Sequence, residues 1–185
     1  MEQQKELMNN TQSKKSRIDF LKFQSFSNYS KIISEYGNYE SKVLILGISP
    51  TKDHYGSDSF SSFAFDINLN QTQKSVGVIC KVFARLGLNI SDFFWDNIYK
   101  VPEDMLTNES KITHINYLKS FIQIINPKLI VCLGTECETI VNSLKLKVDI
   151  RVKKCYHPGA HLRGYYDFDE YCLNWKRLNL EEYIK

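Results

Sequence analysis

The residues whose types and spacing can do chemistry gather first in CYHPGAHLRGYY, Cys155 to Tyr166. A proline turn there holds His157, with His161 and Arg163 close behind. A histidine so held can donate to a carbonyl or stabilise a developing anion, and an arginine can contact phosphate. His157 and His161 are spaced by four, which raises zinc. Pro158 and Gly159 spoil the helix that would bring both rings to one face, and no cysteine or carboxylate partner is placed by sequence. No metal is expected.

Two further stretches carry polar chemistry. Asn97, in WDNIYKVP, follows an apolar run and has Asp96 and Lys100 for company. Its amide offers both a donor and an acceptor, enough to read the hydrogen-bonding edge of a base, although a turn asparagine needs no such role. LGISPT, Leu46 to Thr51, is a glycine-containing turn after a strand. It lacks the glycine pattern and the Lys-Ser/Thr ending of a phosphate loop. Gly47 permits close approach of backbone to a ligand, or simply shapes the turn. Lys145, Lys147, Arg151, Lys153 and Lys154 form a basic strip ahead of the His-Pro-Gly turn, either a solvated face or a patch that meets a phosphate backbone.

The elements that must position these residues read as α/β. The 185 residues, 43% hydrophobic and 24% charged, suit one domain with a real core. Residues 1–17 read as a polar, flexible tail or a frayed first helix, and 18–185 as a single domain. Apolar positions from Ile18 to Tyr36 recur at helical spacing and end near Gly37. Val43 to Leu46 and the PKLIVCLG segment are short, unbroken apolar runs of the kind a buried parallel strand needs. FFWDNIYKVP and the stretch around Val148, Ile150 and Val152 supply the other strands. Helical patterns over 74–86, 109–125, TECETIVNSL and DEYCLNWKRLNL alternate with them. Ligands bind such sheets beyond the carboxyl ends of the strands, where the GISP turn, the Asn97 loop, the LGT turn and the HPGAHLR turn all fall. The aromatic stretch after Thr51 is a long loop starting there, which favours function.

Composition excludes some classes. With 24 basic and 21 acidic residues the net charge is +3, compatible with nucleic acid without arguing for it. No run of 18 apolar residues and no apolar leader is present, so no membrane partner is expected. The cysteines, Cys80, Cys132, Cys137, Cys155 and Cys172, form no CxxC and read as reduced thiols of a cytoplasmic protein.

Taken in order, these pieces resemble the uracil-DNA glycosylase superfamily, particularly its small microbial branches, from about residue 42 to 178. GISPT is similar to the first motif, a Gly-x-x-Pro turn after the first core strand. GSDSFSS resembles the segment whose phenylalanine stacks on a flipped base, with Phe60 the match and Phe63 the near rival. WDNIYKVP resembles the strand whose asparagine recognises uracil, which is Asn97 here. HPGAHLR resembles the last motif, His-Pro-Ser-x-x-x-Arg, with His157 facing the base carbonyl and Arg163 trailing it.

The resemblance implies a three-layer αβα sandwich around a central, mostly parallel four-stranded sheet. It also implies a DNA glycosylase that hydrolyses the N-glycosidic bond of uracil or a related damaged base. The alternatives are a weak or inactive member that binds nucleic acid or a nucleotide, and a scaffold module. Gly47, Ile48, Phe60 and Asn97 would bind the base, and Lys153, Lys154 and Arg163 the DNA backbone. His157 would stabilise the departing base while Ser49 or Asp53 holds the attacking water. The first motif commonly carries a carboxylate or amide where this chain has Ile48 and Ser49, and serine is a poor general base. Gly159 replaces the serine of His-Pro-Ser and removes a hydrogen bond. The closely spaced N-terminal cysteine pair of the iron-sulfur branches is missing, so no cluster and no other cofactor is expected. DNA with a flipped base, met by a monomer, is the expected partner.

Overall fold

Alternating strands and helices build a sheet covered on both faces. The computed structural model describes residues 2–58, 60–61, 63, 65 and 74–184, with backbone alone at 2–13 and 74. The strands are β1 (Tyr36–Gly37), β2 (Val43–Gly47), β3 (Phe94–Asn97), β4 (Leu129–Leu133) and β5 (Arg151–Cys155). Their order across the sheet is β1-β3-β2-β4-β5. The pairs β3–β2, β2–β4 and β4–β5 are parallel, and β1 alone runs antiparallel to β3.

The expected four-stranded sheet is therefore a five-stranded one, mostly parallel, with a two-residue strand added at its edge. That strand falls where helical spacing was expected to continue to Tyr36. Gly37 pairs with Phe94 at φ +105°, and a β-carbon on it would collide with the Phe93 carbonyl oxygen. Two residues held by a backbone contact leave no alternation for a sequence to show. At the other edge, Val148 is fully exposed in the turn before β5 and is not part of a strand.

The buried strands place alternate residues on opposite faces, as a pleated strand must. Val43 and Ile45 join one core with Trp95, Val131, Leu133 and Phe83, while Leu44 and Leu46 join the other with Phe94, Ile130 and Phe121. Each such side chain contributes about 1.5–3 kcal/mol relative to exposure, which is why both faces of the strands read as continuous apolar runs.

The first core is covered by α3 (Lys74–Leu86) and α7 (Phe168–Lys176). The second is covered by α1 (Glu2–Phe26), α4 (Asn108–Ile125) and α5 (Thr135–Ser143). A Thr107–Ser110 capping box starts α4, and Asn126 in the left-handed conformation ends it. Two single-turn helices, α2 (Lys52–Gly56) and α6 (Pro158–Leu162), follow β2 and β5. α1 is tied to the body by Lys14, which donates to Glu40 Oε2 at 2.6 Å.

Candidate functional site

The carboxyl ends of β2 and β3 stay paired to their last residues, so Gly47 lies beside Asn97. The pairing continues into the turns. Ile98 N–H donates to the Gly47 carbonyl at 3.0 Å and Tyr99 N–H to the Ile48 carbonyl at 2.8 Å. These bonds hold Ile48 and Ser49 next to Asn97. On the far side, Gly134 at φ +95° ends β4, and its N–H donates to the Cys155 carbonyl at 2.8 Å. A β-carbon on Gly134 would meet the His157 Cβ at 3.6 Å.

One cleft forms between these ends. Gly47, Ile48, Ser49, Pro50 and Thr51 line it from the first turn, and Asn97 from β3. His157 and Pro158 close it from the β5 side, and His54, Phe63, Ser75 and Val76 supply the remaining wall. The structure thus brings Gly47, Ile48, Ser49, Asn97 and His157 together.

Asn97 is buried, and its backbone N–H donates to Asp96 Oδ1 at 2.8 Å. Its side-chain oxygen lies where Gly47 carries no side chain: a β-carbon there would be 2.5 Å from Asn97 Oδ1 and 2.9 Å from Phe63 Cζ. Glycine at this position leaves room for the Asn97 and Phe63 side chains; its backbone conformation does not demand it.

His157 caps α6, and its Nδ1 accepts the Gly159 N–H at 3.0 Å. An accepting Nδ1 leaves the proton of the neutral ring on Nε2, which is then a donor. The ring keeps an exposed surface at the cleft. Protein packed around it, and then the Arg163 guanidinium, hold its pKa below the ordinary histidine value. Gly159 makes room for this: a β-carbon would stand 3.0 Å from His157 Nδ1 and 3.2 Å from Arg163 Nη1. Arg163 also lies over the Tyr165 ring, 5.6 Å from its centroid.

Phe60 and Asp53 do not line the cleft. Phe60 is 60% exposed, with the Lys31 ammonium 4.8 Å from its ring centroid. Phe63 stands at the cleft instead. Its φ of +63° turns the chain, and its ring packs on Phe65 and Trp95 at 5.8 and 5.5 Å. Asp53 is exposed in the first turn of α2. Lys153 and Lys154 also stand away from the cleft on edge strand β5, where Lys154 lies 3.8 Å from Glu138.

His54 is a lining residue that the sequence reading missed. Thr51 accepts its backbone N–H at 3.2 Å and starts α2, so a stretch that reads as loop contains one helical turn. The His54 ring is buried and donates from Nε2 to the Ser61 carbonyl at 3.0 Å. The available signal was the Thr51 cap three residues before His54.

Among the described residues no three His, Cys, Asp or Glu side chains gather as metal ligands. His161 Nδ1 donates to the Tyr166 carbonyl at 2.9 Å, and its ring stacks on Tyr171. Among the described residues the cleft is lined by no carboxylate. It therefore offers an amide, the His157 imidazole and the His54 ring held by the Ser61 carbonyl, hydroxyls, backbone and one aromatic ring. That set can hold a flat polar ligand and stabilise negative charge on it.

Residues 34–178 match the uracil DNA glycosylase superfamily. The matched span contains all five strands and every residue that lines the cleft, and α1 precedes it. No curated protein matches the chain.

Proposed function

The chain belongs to the uracil DNA glycosylase superfamily, and from that premise we propose that it hydrolyses the N-glycosidic bond of uracil, or a related damaged base, in DNA. The observation that carries this reading is the convergence of Asn97, His157, Phe63 and the Gly47–Ser49 turn on one cleft. A base inside a duplex cannot reach such a cleft, so the nucleotide is extruded into it. The Asn97 amide, with one donor end and one acceptor end, matches the carbonyl-and-imide edge of uracil. Phe63 takes the stacking role in place of Phe60, because it stands at the cleft wall.

His157 donates from Nε2 to a base carbonyl oxygen. As the bond between C1′ and the base nitrogen breaks, the bonding electrons stay with the base, and the charge collects on that oxygen. A preorganised donor there lowers the barrier. Water adds to C1′ and releases its proton, while the departing base takes one up from solvent. Ser49 holds the water; with a poor base in that place, stabilisation of the leaving anion carries most of the rate. Arg163, with Lys153 and Lys154 farther out, meets the DNA backbone, so binding weakens with salt. The reading includes a cytoplasmic setting and action as a monomer.

The lack of a carboxylate among the described lining residues favours one second reading, a family member that binds DNA without cutting the bond. The test is abasic-site formation on oligonucleotides carrying uracil, hypoxanthine or a mismatch. Cleavage that drops when Asn97 or His157 is replaced by Ala supports the glycosylase. Tight binding with no cleavage of any lesion at high protein excess overturns it in favour of the second reading.

A further inference from the structure

Behind Asn97 lies a pair of charges that the chemistry above does not use. Asp96 and Lys100 are both wholly buried, 0% exposed. Asp96 Oδ1 accepts twice, from the Lys100 ammonium and from the Asn97 backbone N–H, the latter at 2.8 Å. One carboxylate oxygen thus joins the ion pair to the base-reading residue.

Lys100 is itself fixed. Its ammonium lies 5.0 Å from the Tyr117 ring centroid and 5.5 Å from that of Phe121. Its N–H donates to His114 Nδ1 at 3.3 Å, and its carbonyl accepts from Ile33 N–H at 2.9 Å. Burying an ion costs several kcal/mol, and replacing a buried pair by apolar groups of similar size is often neutral or stabilising. Stability therefore gives a weak account of this pair. Geometry gives a stronger one, because the pair sets the peptide plane from which the Asn97 side chain springs. That side chain has little freedom, with its oxygen filling the space beside Gly47.

A second layer continues the alternation of charge. Lys22, on α1, donates to both Glu35 oxygens at 3.0 and 3.1 Å, and Tyr39 donates to Glu35 Oε1 at 2.8 Å. Burial opposes ionisation of Glu35, but Lys22 and then Lys100 outweigh it and hold the carboxyl below its ordinary pKa. Ile33, whose N–H donates to the Lys100 carbonyl, stands two residues before Glu35, so the buried Glu35 carboxyl and the half-buried Lys22 of α1 that pairs with it adjoin the buried Lys100–Asp96 pair. Lys22 precedes the span matched by the family.

We propose that Asp96 and Lys100, backed by Glu35 and Lys22, are positioning residues that hold Asn97 in base-reading geometry, so that α1 takes part in recognition. The proposal rests on the glycosylase reading for its kinetic consequence, and on structure alone for its geometric one.

The test uses the full chain and the double variant D96N/K100M, which removes both charges and replaces the carboxylate acceptor of the Asn97 N–H by a weaker neutral amide oxygen. The variant should fold, with a Tm near or above that of the parent. Exchange of the Asn97 backbone amide, followed by NMR, should quicken at least tenfold while amides of β4 keep their protection. On uracil oligonucleotides kcat should fall at least tenfold with KM little changed, because phosphate contacts are untouched. K22M should give a smaller loss, and K100R should keep part of the activity. A folded double variant with unchanged Asn97 exchange overturns the proposal, whatever the activity. If the double variant fails to fold, the same exchange readout on K22M and K100R decides. Absence of cleavage by the parent protein sinks the glycosylase reading alone, and the exchange result still judges the positioning.

Discussion

Asn97 fills the space that a side chain on Gly47 would need: a β-carbon at residue 47 would stand 2.5 Å from the Asn97 Oδ1. The two residues face each other across paired strands, so an added side chain at 47 displaces the Asn97 side chain and not the backbone. Gly47→Ala should leave the fold intact and push the Asn97 amide off its line. Excision of uracil should fall by about 10²-fold, the scale of losing one well-aimed donor. Steady-state kinetics beside a thermal melt checks this; full activity in G47A would show that the amide does not read the base.

The Arg163 guanidinium adds to the packing that lowers the His157 pKa. Packing around the ring is the larger cause of its low pKa, and the guanidinium is the second. Removing the guanidinium, as in Arg163→Gln, should raise the His157 pKa while leaving it below the ordinary value. Neutral His157 is the active form, so activity is present above the folded pKa and lost as pH falls through it. The acid limb of the rate profile should therefore move to higher pH in R163Q. NMR titration of the imidazole gives the direct measurement, and an unmoved pKa would remove Arg163 from this role.

How far the sequence could be read follows from the kind of contact involved. β2 and β4 were legible because strands buried on both faces need unbroken apolar runs, and glycine or proline marks their ends. Asn97 and His157 were legible as strand-end residues, since the parallel topology gathers those ends. The choice between Phe60 and Phe63 was not. Both are phenylalanines in one polar stretch, and a left-handed backbone at Phe63 brings its ring to Gly47. His54 was hidden because a one-turn helix has no period to detect. The Lys22–Glu35 contact joins residues 13 positions apart by tertiary packing, and nothing in the local pattern of either residue announces it.

Asn174 holds the approach to His157. Its side-chain oxygen accepts the Tyr156 N–H at 2.8 Å and the Cys155 thiol at 3.0 Å, so α7 fixes the chain where β5 ends. Asn174→Leu would leave a backbone N–H without its acceptor, at a cost of about 1–3 kcal/mol. Chemical denaturation should report that loss, and uracil excision should fall as His157 loses its footing. If stability drops while kcat holds, the contact serves the fold and not the site.

His114 makes stability depend on pH in a direction that can be worked out. The ring is buried among Phe26, Tyr29 and Tyr99, and its Nδ1 accepts the Lys100 N–H. Burial, and then the charge of Lys100, push its pKa down from 6.5 to about 4. Above 6.5 the ring is neutral in both folded and unfolded chains and contributes nothing to the slope. Between 6.5 and about 4 the unfolded chain binds the extra proton, so stability falls with pH by up to about 1.4 kcal/mol per unit. Below that window the loss is complete. Asp96, its pKa raised by burial against the pull of Lys100, acts in the opposite sense, and the low pKa of His157 adds to the fall. The comparison that isolates His114 is therefore with His114→Gln, which can still accept a hydrogen bond and does not titrate. Denaturation midpoints measured across this pH range should fall less steeply in H114Q. Parallel slopes for the two proteins would mean that His114 takes up its proton in the native state without penalty.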